Sequence, residues 1–561
     1  MYFKNFFKSQ FLTNLILVSI IIIFSSSINS FFGHRGLMPL DDLQNFNSGY
    51  RVLNGDFPFK DYYSISGPFL DIFQSFFYKL FGINWDSFIL HSSFFNCLYS
   101  ISIFYFLKNY KFSNKLALLY SLCSGILMSP TAGNPTVEHH SLILGTISLI
   151  LFIISSKKKY NILFFLVPII LLISFFIKQV PSAYFIILIS IIYFFQVFRK
   201  TKITDILFIL IIGIIFLFLI LFFFQKNGVQ IKTILEQYIL IASSLGENRI
   251  SQINLESSFE VFKKLLFLFV CIIPLLINYL KTKNYDFLIT SFGLFILILF
   301  YELHSMNQLI TFSLLPIFIF FAHKKILEMN TSKFLTIFFI IIITYSFYRI
   351  LRFEIYYLFV FLFFLIFIFV IKYKNKFKIE YLIVTYLLIC TALYFEKYVK
   401  LRQWDDILFD KKKIFKGEEI DPKFKNLEWQ TVYFDKTIEE KNFLLEMKNF
   451  LENQKQSNYL YITDYQLFNV ILKRKDFSPV KYWHYNTSFP GKSHPYRENF
   501  ENFFKLKLKE NNVKLIISDG TAISLENIYE FSWIKKCLIK KENKKFGSKN
   551  IVILKINLNC I

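Results

Sequence analysis

Cysteine is scarce, with six residues in a chain of 561. They form no C-x-x-C pair and no histidine-rich run accompanies them, so no zinc spacing is present. Four of them, Cys97, Cys123, Cys271 and Cys390, lie inside apolar runs, where a thiol acts as a small hydrophobe. Charge is thin as well: 18% of residues are charged while 55% are hydrophobic and 20% aromatic. With a mean hydropathy of +0.46, that balance excludes a soluble protein of this length. No internal repeat occurs, and no two Gly/Pro-broken apolar segments sit at matching positions in two halves, which weighs against the commonest transporter architectures. The polar C-terminal part has no nucleophile elbow, glycine-rich phosphate loop or metal-ligand spacing.

What is abundant is uncharged apolar sequence. Residues 11–30, 206–224 and 355–371 carry no charge, which is enough length to cross a bilayer as helices that satisfy their own backbone. Residues 1–30 follow Lys4 and Lys8 but lead into no small-residue cleavage site, so they read as a span and not as a cleavable leader. About thirteen spans are expected, centred near residues 21, 97, 123, 148, 169, 190, 214, 270, 294, 315, 341, 362 and 387.

The formal charge of +24 raises the question of nucleic acid. Its distribution argues for a membrane instead. Lys108, Lys111 and Lys115, Lys157 to Lys159, Arg199, Lys200 and Lys202, Lys281 and Lys283, Lys324 and Lys325, and Lys372 to Lys378 fall in alternate loops. Residues 130–140 and 301–308, on the other side, contain no Lys or Arg. This places the N-terminus in the cytoplasm of a multi-pass inner-membrane protein. An odd number of spans then sends residues 401–561 to the outer, periplasmic face. That tail has 29 basic and 21 acidic residues, and its pattern is that of a small α/β domain. Residues 459–463, 513–518 and 551–556 read as strands, and 437–455 and 497–511 as helices. In an oxidising compartment Cys537 and Cys560 can pair. The expected organisation is a polytopic helical domain over 1–400, with a first outer loop over about 33–86, and the outer α/β domain over 401–561.

The first outer loop holds the most distinctive pattern. Asp41-Asp42 lies just beyond the first span, followed by Gly55-Asp56-Phe57-Pro58-Phe59-Lys60-Asp61 and then Gly67-Pro68 leading into an amphipathic segment. This resembles the membrane-embedded GT-C glycosyltransferases, and among them the protein O-mannosyltransferase and aminoarabinose-transferase group, the family 39/83 branch. Two further spots fit the resemblance: Pro135 to His140, and Phe176 to Gln179. It implies a GT-C-like fold and inverting transfer of a sugar from a polyprenyl-phosphate donor to a lipid, glycan or protein acceptor, with no nucleic acid involved. It also implies that Asp41 is the base, with Asp42 binding the acceptor or a metal, or starting a helix.

Chemistry asks for the same groups. A carboxylate must take the acceptor's proton, and fixed positive charge must steady the departing phosphate. Lys178, in a short apolar turn, is the foremost cation, with Lys60, Lys79, Arg349 and Arg352 as others. Glu138, His139 and His140 can complete an acceptor site or hold a divalent ion, and Glu302 and His304 form a third polar cluster. The competing functions are a transporter or flippase, and a non-catalytic protein of polysaccharide assembly.

Overall fold

The computed structural model describes residues 2–109, 112–127, 133–155, 162–179, 182–183, 185–186, 189–190, 203–244, 388, 391–392, 395–402, 409–454 and 458–561. Helix α1 (Tyr2–Gly33) leads through a π-helical turn (Pro39–Leu43) into α2 (Gln44–Leu53) and α3 (Pro68–Phe81). There follow α4 (Trp85–Asn109), α5 (Asn114–Leu127), α6 (Val137–Ser155), α7 (Ile162–Ile177) and α8 (Ile203–Lys226). Among the described residues, Phe11–Gly33, Trp85–Asn109 and Leu207–Lys226 are long and apolar enough to span a membrane, and Val137–Phe152 and Leu163–Ile177 are shorter apolar helices. Phe11, Ile23, Phe218 and Phe222 are at least 64% exposed, an outward apolar surface that water would not tolerate and lipid would cover. The expected spans near residues 270, 294, 315, 341 and 362 lie outside the described residues.

The C-terminal region carries a two-stranded ribbon, β1 (Phe415–Lys416) with β2 (Glu428–Trp429), then α9 (Thr437–Asn453) and β3 (Tyr459–Ile462). Helix α10 (Arg497–Glu510) crosses to β4 (Leu515–Ser518), and β5 (Leu538–Phe546) and β6 (Lys549–Ile556) close the chain. The sheet order is β3-β4-β6-β5, with β3 and β4 parallel and the other pairs antiparallel. Cys537 is bonded to Cys560 across 23 residues, with Cα atoms 5.4 Å apart. The bond ties the start of β5 to the tail after β6. Cys560→Ser is expected to destabilise this region by about 3 kcal/mol, the loop-closure term for a link of that span, read as a lower melting temperature that reductant does not lower further.

One apolar cluster joins the two regions. Leu43, Phe46, Tyr78, Trp85 and Phe88 pack with Phe424, Trp429, Phe443, Tyr465 and Ile517. The backbone continues the union. Glu428 N–H donates to His34 O (2.8 Å), Gly36 N–H to Glu428 O (2.7 Å), and Tyr63 N–H to Pro479 O (2.7 Å). The loop after α1 is therefore held between the apolar helices and the C-terminal sheet.

Candidate active site

The loop's acids divide by environment. Asp42 is fully buried. Its Oδ2 accepts the Met38 N–H at 2.8 Å, and Arg402 Nη2 lies 3.8 Å away. Burial pushes its pKa up to about 6, although Arg402, the nearby Asn134 amide and the Met38 N–H pull it down. Arg402 is itself lowered to about 10 by burial, with Asp42 opposing. It donates to Gly36 O and lies over the Phe32 ring. Asp42 thus closes the π turn and receives the arginine that pins the end of α1.

Three other acids of the loop are also engaged. Asp56 Oδ2 takes the buried Arg51 Nε at 3.0 Å. Asp61 Oδ2 accepts the Phe57 N–H at 2.8 Å, closing the Gly-x-x-Pro-Phe-x-Asp turn. Asp71 receives Lys481 Nζ (2.6 Å), Ser48 Oγ (2.7 Å) and the Tyr62 hydroxyl (2.7 Å). Asp41 is half-buried.

Asp41 stands where three distant segments meet. Asn45 Nδ2 donates to Asp41 O and to Pro135 O, both at 3.0 Å, and so ties the π turn to the start of α6. Three residues on, Glu138 Oε1 meets Lys178 Nζ at 3.1 Å, each side chain 27% exposed. The turn bearing Lys178 returns to the first loop: Gly67 N–H donates to Ile177 O (2.9 Å), and Gln179 Nε2 donates to Ile65 O (2.9 Å). Gly67 has φ +80°, and a Cβ there would sit 2.7 Å from both Lys481 Nζ and Val137 Cγ1. Only glycine satisfies that conformation and that clearance.

The remaining predicted residues are dispersed. His139 and His140 are buried in the first turns of α6. His140 bonds Thr136 O through Nδ1 at 3.0 Å, and its ring packs on His91 and Phe95 at 4.7 and 4.2 Å. Among the described residues no group of three His, Cys, Asp or Glu is placed to hold a metal ion. Lys60 is exposed, its alkyl chain against Gly228. Lys79 is exposed in the last turn of α3 beside the exposed Leu80 and Phe81. Glu302, His304, Arg349 and Arg352 lie outside the described residues.

No protein-family model matches the chain, and no curated protein matches it. Among solved structures it is similar to a crystal structure of ArnT from Cupriavidus metallidurans bound to undecaprenyl phosphate. The identity there is 8% and the TM-score 0.45, over 96% of this chain and 97% of that one. It is similar also to the apo state of the same protein, at 11% identity and a TM-score of 0.42, over 97% and 98% of the two chains. At those values neither neighbour assigns a reaction to this chain.

A further constellation escaped the sequence reading. Thr463 and Asp464 follow β3, and Asp519 follows β4, so they stand together at the carboxyl ends of the parallel pair. Asp519 accepts from the Tyr461 hydroxyl (2.7 Å), Thr463 Oγ1 (2.6 Å), and Thr521 N–H (2.9 Å) and Oγ1 (2.6 Å). The Tyr433 hydroxyl donates to Asp464 Oδ2 at 2.6 Å. Burial first, then the Asp464, Asp41 and Asp519 charges, push Tyr433 well above its usual range. The available signal in the sequence was an acid closing each apolar run, ITD and SDG.

Burial, with Asp519 nearby, pushes Asp464 up to about 7, and the Tyr433 hydrogen bond only partly opposes it. The folded protein thus holds this proton more tightly than the unfolded chain, whose aspartates titrate near pH 3.9. Stability therefore falls as pH rises from about 4 through about 7, and the full cost applies above that. Asp464→Asn is expected to stabilise the protein at pH 8 by about 2–4 kcal/mol, read as a higher melting temperature, and to leave the melting temperature unchanged at pH 4.

Proposed function

We propose that the chain is a membrane glycosyltransferase that moves a sugar from a polyprenyl-phosphate donor to a cell-envelope acceptor on the outer face of the membrane. The observation that carries this reading is the convergence of three segments far apart in sequence, each matching the GT-C pattern. The Asp41-Asp42 turn, the start of α6 at Pro135–Glu138 and the Lys178 turn are joined through Asn45, Gly67 and Gln179.

In this reading the acceptor oxygen attacks the anomeric carbon as the bond from that carbon to the phosphate oxygen breaks, and the configuration inverts. Asp41 takes the acceptor's proton. Asp42, buried and committed to Met38 and Arg402, fixes the turn that presents it. Lys178 faces the departing phosphate, and Glu138 holds its ammonium in place until the negative charge develops. In this reading these groups lie at the bilayer surface, where the phosphate of a lipid carrier must lie.

The test is transfer of radiolabel from a panel of polyprenyl-phosphate sugars to envelope acceptors by the full chain reconstituted in liposomes. Transfer with at least one donor supports the reading. No transfer with any, together with movement of label across the bilayer, replaces it with a flippase.

A further inference from the structure

Helix α7 ends at Ile177, directly before Lys178. The last four carbonyls of a helix have no partner inside it, and at α7 they are met by groups from distant parts of the chain. Phe175 O accepts the Tyr238 hydroxyl, and Ile177 O accepts the Gly67 N–H at 2.9 Å. On the other side of Lys178, Gln179 Nε2 donates to Tyr238 O (2.6 Å) and to Ile65 O (2.9 Å). The turn that bears Lys178 is therefore fastened on both flanks, to the first loop and to a segment that follows α8.

That segment is helical over 231–240, and its part Leu235–Leu240 is a π-helix, a winding that is rare and frequent at functional sites. Tyr238 is fully buried, its ring stacked on Phe176 at 5.7 Å and set edge-on to Phe59 at 5.8 Å. Gln237, also buried, accepts the Ser64 N–H at 3.0 Å and donates to Phe59 O at 3.1 Å. Phe59 is the residue of the first loop that most needs holding. Its φ is +72°, a left-handed backbone that a bulky side chain adopts only where its surroundings impose it. It stands in the Gly-x-x-Pro-Phe-x-Asp stretch. Two consecutive side chains thus grip two parts of the candidate site, Gln237 the first loop and Tyr238 the Lys178 turn.

We propose that Gln179, Gln237 and Tyr238 form a clamp that positions Lys178 for the donor phosphate; that Lys178 meets a phosphate rests on the transferase reading above. A lysine ammonium rides on a long flexible stem, so it serves a departing phosphate only if both ends of the side chain are fixed. Glu138 fixes the tip, at 3.1 Å from Nζ, and the clamp fixes the root. A shift of about 1 Å in such a group can cost on the order of 10²-fold in rate. None of the three clamp residues touches the reacting atoms. All are positioning residues, and they act through Lys178.

The experiment is a double-mutant cycle on the full chain in liposomes, with Gln179→Met and Lys178→Ala made singly and together. Transfer kinetics and affinity for a polyprenyl monophosphate are measured per folded molecule. Gln179→Met is expected to lower kcat about tenfold with a smaller rise in donor KM, because Lys178 acts on charge that develops as the phosphate departs. It is expected to weaken monophosphate binding severalfold. In the Lys178→Ala background the same change should have little further effect on either, since a residue that works through Lys178 then has nothing to position. Tyr238→Phe, which keeps the ring and removes the hydroxyl bonded to Phe175 O, is taken through the same cycle and decides if Gln179→Met fails to fold. Additive losses, a Lys178→Ala protein equal to wild type, or folded clamp variants whose only change is a lower melting temperature overturn the proposal. Transfer with additive losses leaves the transferase and removes the clamp. Monophosphate binding with non-additive losses, but no transfer from any donor, leaves the clamp and removes the transferase. Absence of both transfer and monophosphate binding overturns both.

Discussion

Asp41→Asn is expected to reduce sugar transfer by a factor on the order of 10²–10⁴, the range a positioned general base contributes, while the protein melts at the wild-type temperature. Asp42→Asn is expected to do the opposite, keeping measurable transfer per folded molecule but lowering the melting temperature. The contrast follows from environment. Asp42 is fully buried and shares its carboxylate with a backbone N–H and the equally buried Arg402. Neutralising it leaves a guanidinium in the interior without its counter-charge, a loss typically of about 3–5 kcal/mol. Asp41 is half-buried at the junction of three segments, and replacing its carboxylate with an amide of the same shape removes basicity with little change in packing. Reconstituted protein, assayed for initial rate and melted in parallel, distinguishes the two. Equal loss of rate in both variants at unchanged stability would move the base from Asp41 to the pair. An unaffected Asp41→Asn enzyme would move it toward Glu138.

The parts of this architecture that were legible in the sequence are those set by hydrophobicity and local pattern. Apolar runs centred near 97, 148 and 214 became α4, α6 and α8, because a run of that length has no other way to satisfy its backbone in lipid. Residues 459–463 and 551–556 became β3 and β6 because they are β-branched and aromatic. Strand β5 was not legible. Its sequence LIKKENKKF has no apolar alternation, and it is a strand because β6 offers it a free edge, where lysines also discourage pairing with other chains. In the candidate site the Asp-Asp pair and the Lys178 turn stood out by composition. The difference in environment inside the pair did not, because it depends on Arg402, about 360 residues downstream in sequence yet in contact with Asp42. Lys481 gave no signal either, since a lone lysine in a polar loop looks solvated until the fold closes over it.

That lysine carries the second large effect. Lys481→Ala is expected to destabilise the protein by about 3–5 kcal/mol, a large share of the roughly 5–15 kcal/mol that holds a domain folded, and to free the C-terminal region for proteolysis. Lys481 Nζ lies 2.6 Å from Asp71 Oδ1, with side chains 2% and 0% exposed. Removing it strands a carboxylate whose other partners, Ser48 and Tyr62, supply hydrogen bonds but no positive charge. The converse variant, Asp71→Leu, strands the ammonium at similar cost. The double variant Lys481→Met with Asp71→Leu is expected to recover much of the loss, because two apolar side chains fill the space without a buried charge. Recovery stays incomplete, since the Ser48 and Tyr62 hydroxyls lose their shared acceptor. A double-mutant cycle on melting temperatures measures the coupling, and near-additive losses would show that the pair is not what joins loop to sheet. Activity should follow the same order. Lys481 packs against Gly67, whose N–H holds Ile177 beside Lys178. A sheet that comes away from the loop therefore loosens the cation as well. Transfer in Lys481→Ala is expected to fall more than the unfolded fraction alone explains, and to return in the double variant along with stability.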